Sequence, residues 1–215
     1  MEKVIVFQGD SITDGIRNRE QDYARGYGYV TMVAGELMAR EPYIYNCLNR
    51  GISGNRIVDL YARVRQDLIN LKPDYLSVLV GINDVIHEWY RKNGVSAEKY
   101  ELVYNLLLEE VKRDCPNVKI MVLEPFVLPG SLAGDPTDAP EQWNYTKKEV
   151  DLRRAAAKRV AEKQGAYFVP LQELFEKLNA DAPVGDFWLR DGVHPTEAGH
   201  TIIKQEWLKT YEQMR

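Results

Sequence analysis

Cysteine is scarce in this chain of 215 residues, which holds only Cys47 and Cys115. Two cysteines make no disulfide framework and match no zinc-ligand spacing, so both read as small buried hydrophobes in a reducing compartment. Long apolar runs are missing as well. The longest clean ones, Val4-Ile5-Val6-Phe7 and Val78-Leu79-Val80, have strand length and fall far short of the roughly 20 residues of a membrane span. No leader is visible, because Met1-Glu2-Lys3 runs straight into a strand-like segment, and a cytoplasmic location is expected. Positive charge is not in excess: 28 Lys and Arg stand against 32 Asp and Glu, for a net charge of −4. Without a basic block, nucleic acid is a poor partner. A membrane is equally unsuited. There is no internal repeat, low-complexity tract or polar linker, so residues 1–215 are expected to form one domain. What is present is ordinary for a globular chain: 45% apolar and 28% charged residues. A chain of this size buries about 70% of its extended surface, enough for a core without disulfides or a structural metal.

Strand-like and helix-like segments alternate. Short β-rich runs lie at Val4–Phe7, Tyr43–Asn46, Tyr75–Val80, Lys119–Leu123 and Ala166–Val169. Helical period marks Tyr29–Arg40, Ile57–Leu71, a segment from the N-cap Ser96 to about Arg113, Tyr145–Gln164, and Thr196–Tyr211. Strand, helix, strand, helix predicts an α/β fold, a parallel sheet covered on both faces as a three-layer α/β/α sandwich. Two long irregular segments, Gly15–Gly28 and Pro129–Pro140, follow the first and fourth strands. Loops of that length are functional or mobile, and ligands of such sheets bind beyond the carboxyl ends of the strands.

Four short motifs fall at those ends. Gly9-Asp10-Ser11-Ile12-Thr13 puts a serine just past the first strand. By itself it reads first as a turn or helix-cap serine, and Thr13 departs from the Gly-x-Ser-x-Gly elbow. Asn49-Arg50-Gly51-Ile52-Ser53-Gly54-Asn55 carries two glycines that let backbone N–H groups approach a ligand, or make an ordinary turn. Gly81-Ile82-Asn83-Asp84 offers an asparagine amide suited to an oxyanion, with Asp84 as a cap beside it. Asp191-Gly192-Val193-His194-Pro195 spaces an acid and a histidine so that the carboxylate can receive the Nδ1 proton, leaving Nε2 as a base. A metal site is disfavoured there, since His200 lies six residues on in a helix and His87 lies elsewhere.

Together the four supply a nucleophile, a base, its orienting acid and oxyanion donors. Their identity and order resemble the SGNH hydrolases, the GDSL family of esterases and lipases, over nearly the whole chain. That resemblance implies a flavodoxin-like sandwich with a central five-stranded parallel sheet. It also implies catalytic roles for Ser11, Asp191 and His194, and an oxyanion hole made by the Ser11 and Gly54 N–H groups and the Asn83 side chain. No metal or organic cofactor is implied. The blocks further resemble bacterial carbohydrate acetylesterases that deacetylate xylan oligosaccharides, several of which assemble into homo-oligomers. The implied partner is then a small ester, an acetylated oligosaccharide, cleaved through an acyl-enzyme on Ser11. A different GDSL-type esterase, a lysophospholipase, a thioesterase, a sugar acyltransferase and a non-catalytic carbohydrate-binding module are the alternatives.

For the sugar, aromatic residues near the motifs are candidate platforms: Tyr23, Tyr27, Trp89, Trp143 and above all Trp188. Arg56 and Arg190, next to the motifs, are candidate hydroxyl partners, and Asp10 joins them as a substrate contact. Trp143, Tyr145, Trp207 and Tyr211 belong either to the core or to an interface. The polar loop Pro129–Pro140 is unlike an apolar lipase lid, which favours an acetyl-sized acyl group.

Overall fold

The computed structural model describes residues 2–182 and 184–215. Five parallel strands, β1 (Lys3–Gly9), β2 (Tyr45–Asn49), β3 (Tyr75–Leu79), β4 (Lys119–Leu123) and β5 (Tyr167–Val169), form a sheet of order β2-β1-β3-β4-β5. Alternation along each strand divides the core in two. Ile5 and Phe7 of β1, Tyr75 and Leu79 of β3, and Met121 and Leu123 of β4 face one layer. It is built by α2 (Tyr29–Arg40), α8 (Gln172–Ala180) and α9 (Glu197–Met214). Val6, Leu76, Val78, Ile120 and Val122 face the other, made of α3 (Ile57–Ala62), α4 (Val64–Asp67), α6 (Ala97–Asp114) and α7 (Pro140–Gln164). Ala156, Ala157 and Ala161 give α7 a fully buried small-residue face.

The chain leaves β1 towards β2 and then returns past β1 to β3, so the crossovers after β1 and β3 diverge. A crevice opens at such a reversal. Both the short helix α1 (Ser11–Asp14) and α5 (Ile82–Arg91) begin at that point.

Several boundaries differ from expectation. β2 starts at Tyr45 because pairing with β1 begins at Lys3↔Tyr45, while Tyr43 turns the chain at φ 66° and is 97% exposed. The expected helix Ile57–Leu71 is broken into α3, α4 and a 3-10 turn at Ile69–Leu71. The first break falls at Arg63, whose guanidinium reaches back to the carbonyls of Arg50 (2.7 Å) and Gly9 (3.3 Å) and to Asn55 Oδ1 (2.9 Å). α7 starts at Pro140 rather than Tyr145, with proline in the first turn, where its missing N–H has no helical partner to lose. Both cysteines are buried and unpaired. Trp207 and Tyr211 are core residues: the Trp207 indole donates to Ser77 Oγ (2.9 Å), and the two rings stack at 5.2 Å. Trp143 and Tyr145 pack partly buried against the same core.

Candidate active site

Strand β1 ends at Gly9, where a Cβ would lie 2.3 Å from Thr13 Oγ1 and 2.4 Å from the Leu79 carbonyl. Only glycine lets α1 start this close to β3. Asp10 caps α1, its Oδ1 accepting the Ile12 N–H at 3.0 Å. Asp10 is therefore enclosed, at 1% exposure, and lies beneath the serine rather than beside a substrate. Burial pushes its carboxyl up to about 7, against the opposing pull of the Ile12 hydrogen bond and His194.

The loop before α9 is closed by a bridge between Leu189 and Pro195 and by the Arg190 N–H on the His194 carbonyl (2.9 Å). Gly192 turns it at φ 87°, and its carbonyl accepts the Leu128 N–H at 2.9 Å. The Leu132 N–H donates to the Asp191 carbonyl at 3.0 Å. The Pro129–Pro140 segment thus braces this loop. Asp191 Oδ1 accepts the N–H groups of Val193 (2.9 Å) and His194 (2.8 Å), and Oδ2 lies 2.7 Å from His194 Nδ1. His194 Nε2 is 2.9 Å from Ser11 Oγ. Burial alone would raise the Asp191 carboxyl, but the His194 ring, the two backbone donors and the His194 charge hold it down at about 2. Its hydrogen bond in turn raises His194 above the usual imidazole range, against burial. A serine hydroxyl facing an imidazole whose far nitrogen is held by a carboxylate can act as a nucleophile.

The loop after β2 approaches from the other side. The Asn49 amide donates to the carbonyls of Thr13 (2.7 Å) and Arg25 (2.8 Å), and the Ser53 N–H donates to Asp14 Oδ2 (2.9 Å). These ties deliver Gly54, at φ 83°, to the edge of the same cleft as Ser11. Asn83 sits in the first turn of α5, and one of its two amide hydrogens goes to the Asn55 carbonyl (3.2 Å). Among the described residues the Ser11 and Gly54 N–H groups meet no acceptor. Asp84 is a cap as expected, but of another helix: fully buried, it accepts the Ile57 N–H at the start of α3 (3.2 Å).

Two clefts of about 410 Å³ flank the Ser11–His194 pair and share Ser53. One is walled by Asp14, Ile16, Arg17, Arg19 and Tyr27. The other is walled by Gly54, Asn83, Ile86, His87, Arg91 and Leu132. Of the second wall the sequence reading found Gly54 and Asn83 and missed Ile86, His87, Arg91 and Leu132. The wall's signal was the helical spacing of Asn83, Ile86, His87 and Arg91, hidden because α5 was not recognised.

Of the expected sugar contacts, Arg56 is turned aside into a forked pair with Asp59 (2.9 and 3.0 Å) and the Asn93 carbonyl (2.8 Å). Trp188 spends its indole N–H on the Leu178 carbonyl (3.0 Å) and packs edge-on against Phe187. Neither lines the two clefts. Arg190 remains at the rim, its guanidinium 5.7 Å above the Tyr27 ring. Trp89 packs on Tyr145 at 5.3 Å. His200 is structural: its Nδ1 accepts the Tyr29 N–H (3.2 Å), and burial holds it neutral at about 4.

The model of the GDSL-like lipase/acylhydrolase family matches residues 7–202. An acetylxylan esterase from Geobacillus stearothermophilus is 35% identical, over 95% of this chain and 92% of that protein. A provisionally named GDSL-like lipase from Parabacteroides merdae has a structure that superposes with a TM-score of 0.88 at 33% identity, covering 98% of this chain and 96% of that one. A catalytic mutant of an acetylxylan esterase from Geobacillus stearothermophilus superposes with a TM-score of 0.82 at 32% identity, covering 98% and 95%.

Proposed function

The chain belongs to the GDSL-like lipase/acylhydrolase family, and we propose that as a serine ester hydrolase of that family it removes O-acetyl groups from carbohydrates, with acetylated xylo-oligosaccharides as substrates. The observation that carries the reading is the hydrogen-bonded run Asp191–His194–Ser11, at 2.7 and 2.9 Å, opening on a cleft with unengaged N–H donors. In this reading His194 Nε2 takes the Ser11 proton as Oγ attacks the acetyl carbonyl. The carbonyl π pair moves onto oxygen, and that oxyanion meets the Ser11 and Gly54 N–H groups and the Asn83 amide. Collapse breaks the bond to the sugar oxygen, which takes the proton from His194 and leaves acetyl-Ser11. Water then repeats the sequence and acetate departs. Asp191 holds the tautomer and offsets the imidazolium charge.

The acetyl preference is supported by the cleft walls. Beside Ile86, Tyr90 and Leu132 stand the polar His87 and Arg91, a wall that suits a short acyl group better than a long apolar chain. The carbohydrate preference is supported by two of the relatives named above, both acetylxylan esterases. All 215 residues are read as one catalytic domain, since Ser11 follows the first strand, and Asp191 and His194 lie just before the last helix.

The test is Ser11→Ala together with an acyl-length panel. Hydrolysis of an aryl acetate is expected to vanish with the fold intact by circular dichroism. The native enzyme is expected to favour acetylated xylo-oligosaccharide over a C8 ester in kcat/KM. Full activity of Ser11→Ala, or a peak at C8, would overturn the reading. Transfer of acetyl to added sugar in preference to water would make the protein an acyltransferase instead.

A further inference from the structure

We propose that the ester substrate is carried on an acidic sugar chain, and that the cleft walled by Arg17, Arg19 and Tyr27 seats its carboxylate, as a hexuronic acid residue in the leaving group. The inference rests on the carbohydrate-esterase reading and narrows its substrate class.

The chain as a whole carries −4, yet the two clefts at Ser11 are walled by three arginines, Arg17, Arg19 and Arg91, against the single carboxylate of Asp14. Asp14 is turned inward and already engaged. Its Oδ1 accepts the Arg17 N–H (3.1 Å) and its Oδ2 the Ser53 N–H (2.9 Å), and its side chain is 7% exposed. Three partly buried arginines elsewhere are closely neutralised: Arg50 on Asp22 (2.6 Å), Arg63 on Asp67 (2.8 Å) and Arg154 on Glu124 (2.9 Å). The half-buried Arg17 is not. Among the described residues the guanidiniums of Arg17 and of the exposed Arg91 meet no carboxylate within 4.0 Å, and the exposed Arg19 pairs with Asp14 at 3.4 Å. Arg17 anchors itself through Nε to the Gly51 carbonyl (2.9 Å), which leaves its two Nη groups as donors. A half-buried guanidinium fixed in this way is poised for a planar, two-oxygen partner.

The rim also carries an exposed apolar residue. Ile16 is β-branched, stands at φ 56° in the left-handed region, and is 81% exposed on the cleft. Such a backbone is strained for a β-branched residue, and Tyr43, Lys72 and Lys92 share it away from the clefts; what bears on a ligand is the apolar surface that Ile16 leaves open. With Tyr27, 46% exposed on the same cleft, it offers an apolar edge for the C–H face of a sugar beside the guanidiniums.

The experiment compares kcat/KM for acetylated xylo-oligosaccharides of equal length with and without a glucuronic acid branch, and for an aryl acetate. The acidic substrate is expected to be favoured about tenfold at low salt, the size of one partly exposed charge-assisted contact. The preference should shrink at roughly 1 M salt, where the screening length falls to about 3 Å. Arg19→Glu is expected to bring the acidic-to-neutral ratio to one or below. As a ratio, it cancels any loss of folding or general activity. Ile16→Gly, which relieves the backbone, is expected to raise KM for both oligosaccharides more than for the aryl acetate. A native enzyme that hydrolyses the neutral oligosaccharide with a ratio near one overturns this inference and keeps the esterase reading. A ratio unmoved by Arg19→Glu also overturns it. An enzyme that cleaves aryl acetate but no acetylated carbohydrate overturns both.

Discussion

Replacing Asp191 by asparagine swaps one oxygen for an NH₂ group, and the hydrogen bonds around it decide which. Oδ1 is held by two donors, the N–H groups of Val193 and His194 at 2.9 and 2.8 Å. The asparagine oxygen must stay there, so its NH₂ faces His194 Nδ1. That nitrogen then has to accept, and the ring proton moves to Nε2, 2.9 Å from Ser11 Oγ, where it blocks proton removal. The expected loss of kcat on an aryl acetate is about 10⁴-fold, as the same exchange produces in other Ser-His-Asp enzymes. A second signature separates this from mere structural damage. The Asp191 hydrogen bond is the main reason the His194 pKa is raised, with burial opposing it. In the variant burial prevails, so the acid limb of the kcat/KM profile should move to lower pH. The same bond acts on stability. Asp191, held at about 2 instead of 3.8, contributes on the order of 2 kcal/mol above about pH 4, lost as pH falls towards 2. His194, with its pKa raised, contributes below 6.5 and loses that contribution as pH rises through its folded pKa. The Tm deficit of the variant should therefore be largest near pH 5. A pH–rate profile with thermal unfolding scans at the same pH values checks both. An unchanged acid limb, or near-native kcat, would refute the reasoning.

Asn83→Ala removes one proposed oxyanion donor and should lower kcat about 10²-fold or more with little change in KM; steady-state kinetics on an aryl acetate would show a KM-only effect if the amide merely binds substrate. Asp10→Asn keeps the oxygen that caps Ile12 (3.0 Å) and removes the titration of a carboxyl raised by burial to about 7. Because the folded wild type holds its proton between about pH 4 and 7 and the unfolded chain does not, wild-type stability falls as pH rises through that window. The Tm of the variant relative to wild type should accordingly be higher at pH 8 than at pH 5 in thermal unfolding.

Strands with both faces covered leave a plain trace, and β3 and β4 could be read from runs such as Tyr75–Val80 and Lys119–Leu123 because every position past the exposed Lys119 at the edge must be apolar or small. β2 starts two residues and ends three residues later than expected, since its start is set by pairing with β1 and not by the aromatic Tyr43, which faces solvent. The break at Arg63 was invisible because it depends on carbonyls at positions 9 and 50 that only the fold brings near. Helix α5 was overlooked for a related reason: it starts inside a motif, and its polar residues wall a cleft that has no signature along the chain.

Ser11, Asn83, Asp191 and His194 were legible as candidates because the proposed chemistry demands particular residue types, just past β1 and β3 and in the loop before α9. Substrate contacts were not. Trp188, Arg56 and Asp10 looked suitable by adjacency, but the first two bond within the protein and the third is sealed beneath α1. Composition and the order of strand-like and helix-like segments by themselves determined the broad class, a mildly acidic α/β chain with no membrane-spanning run and no disulfide framework. Only the tertiary structure decided where charge lies within that acidic total. Pairing of arginines with carboxylates depends on distances between segments far apart in the chain, and those distances leave Arg17, Arg19 and Arg91 facing the clefts at Ser11.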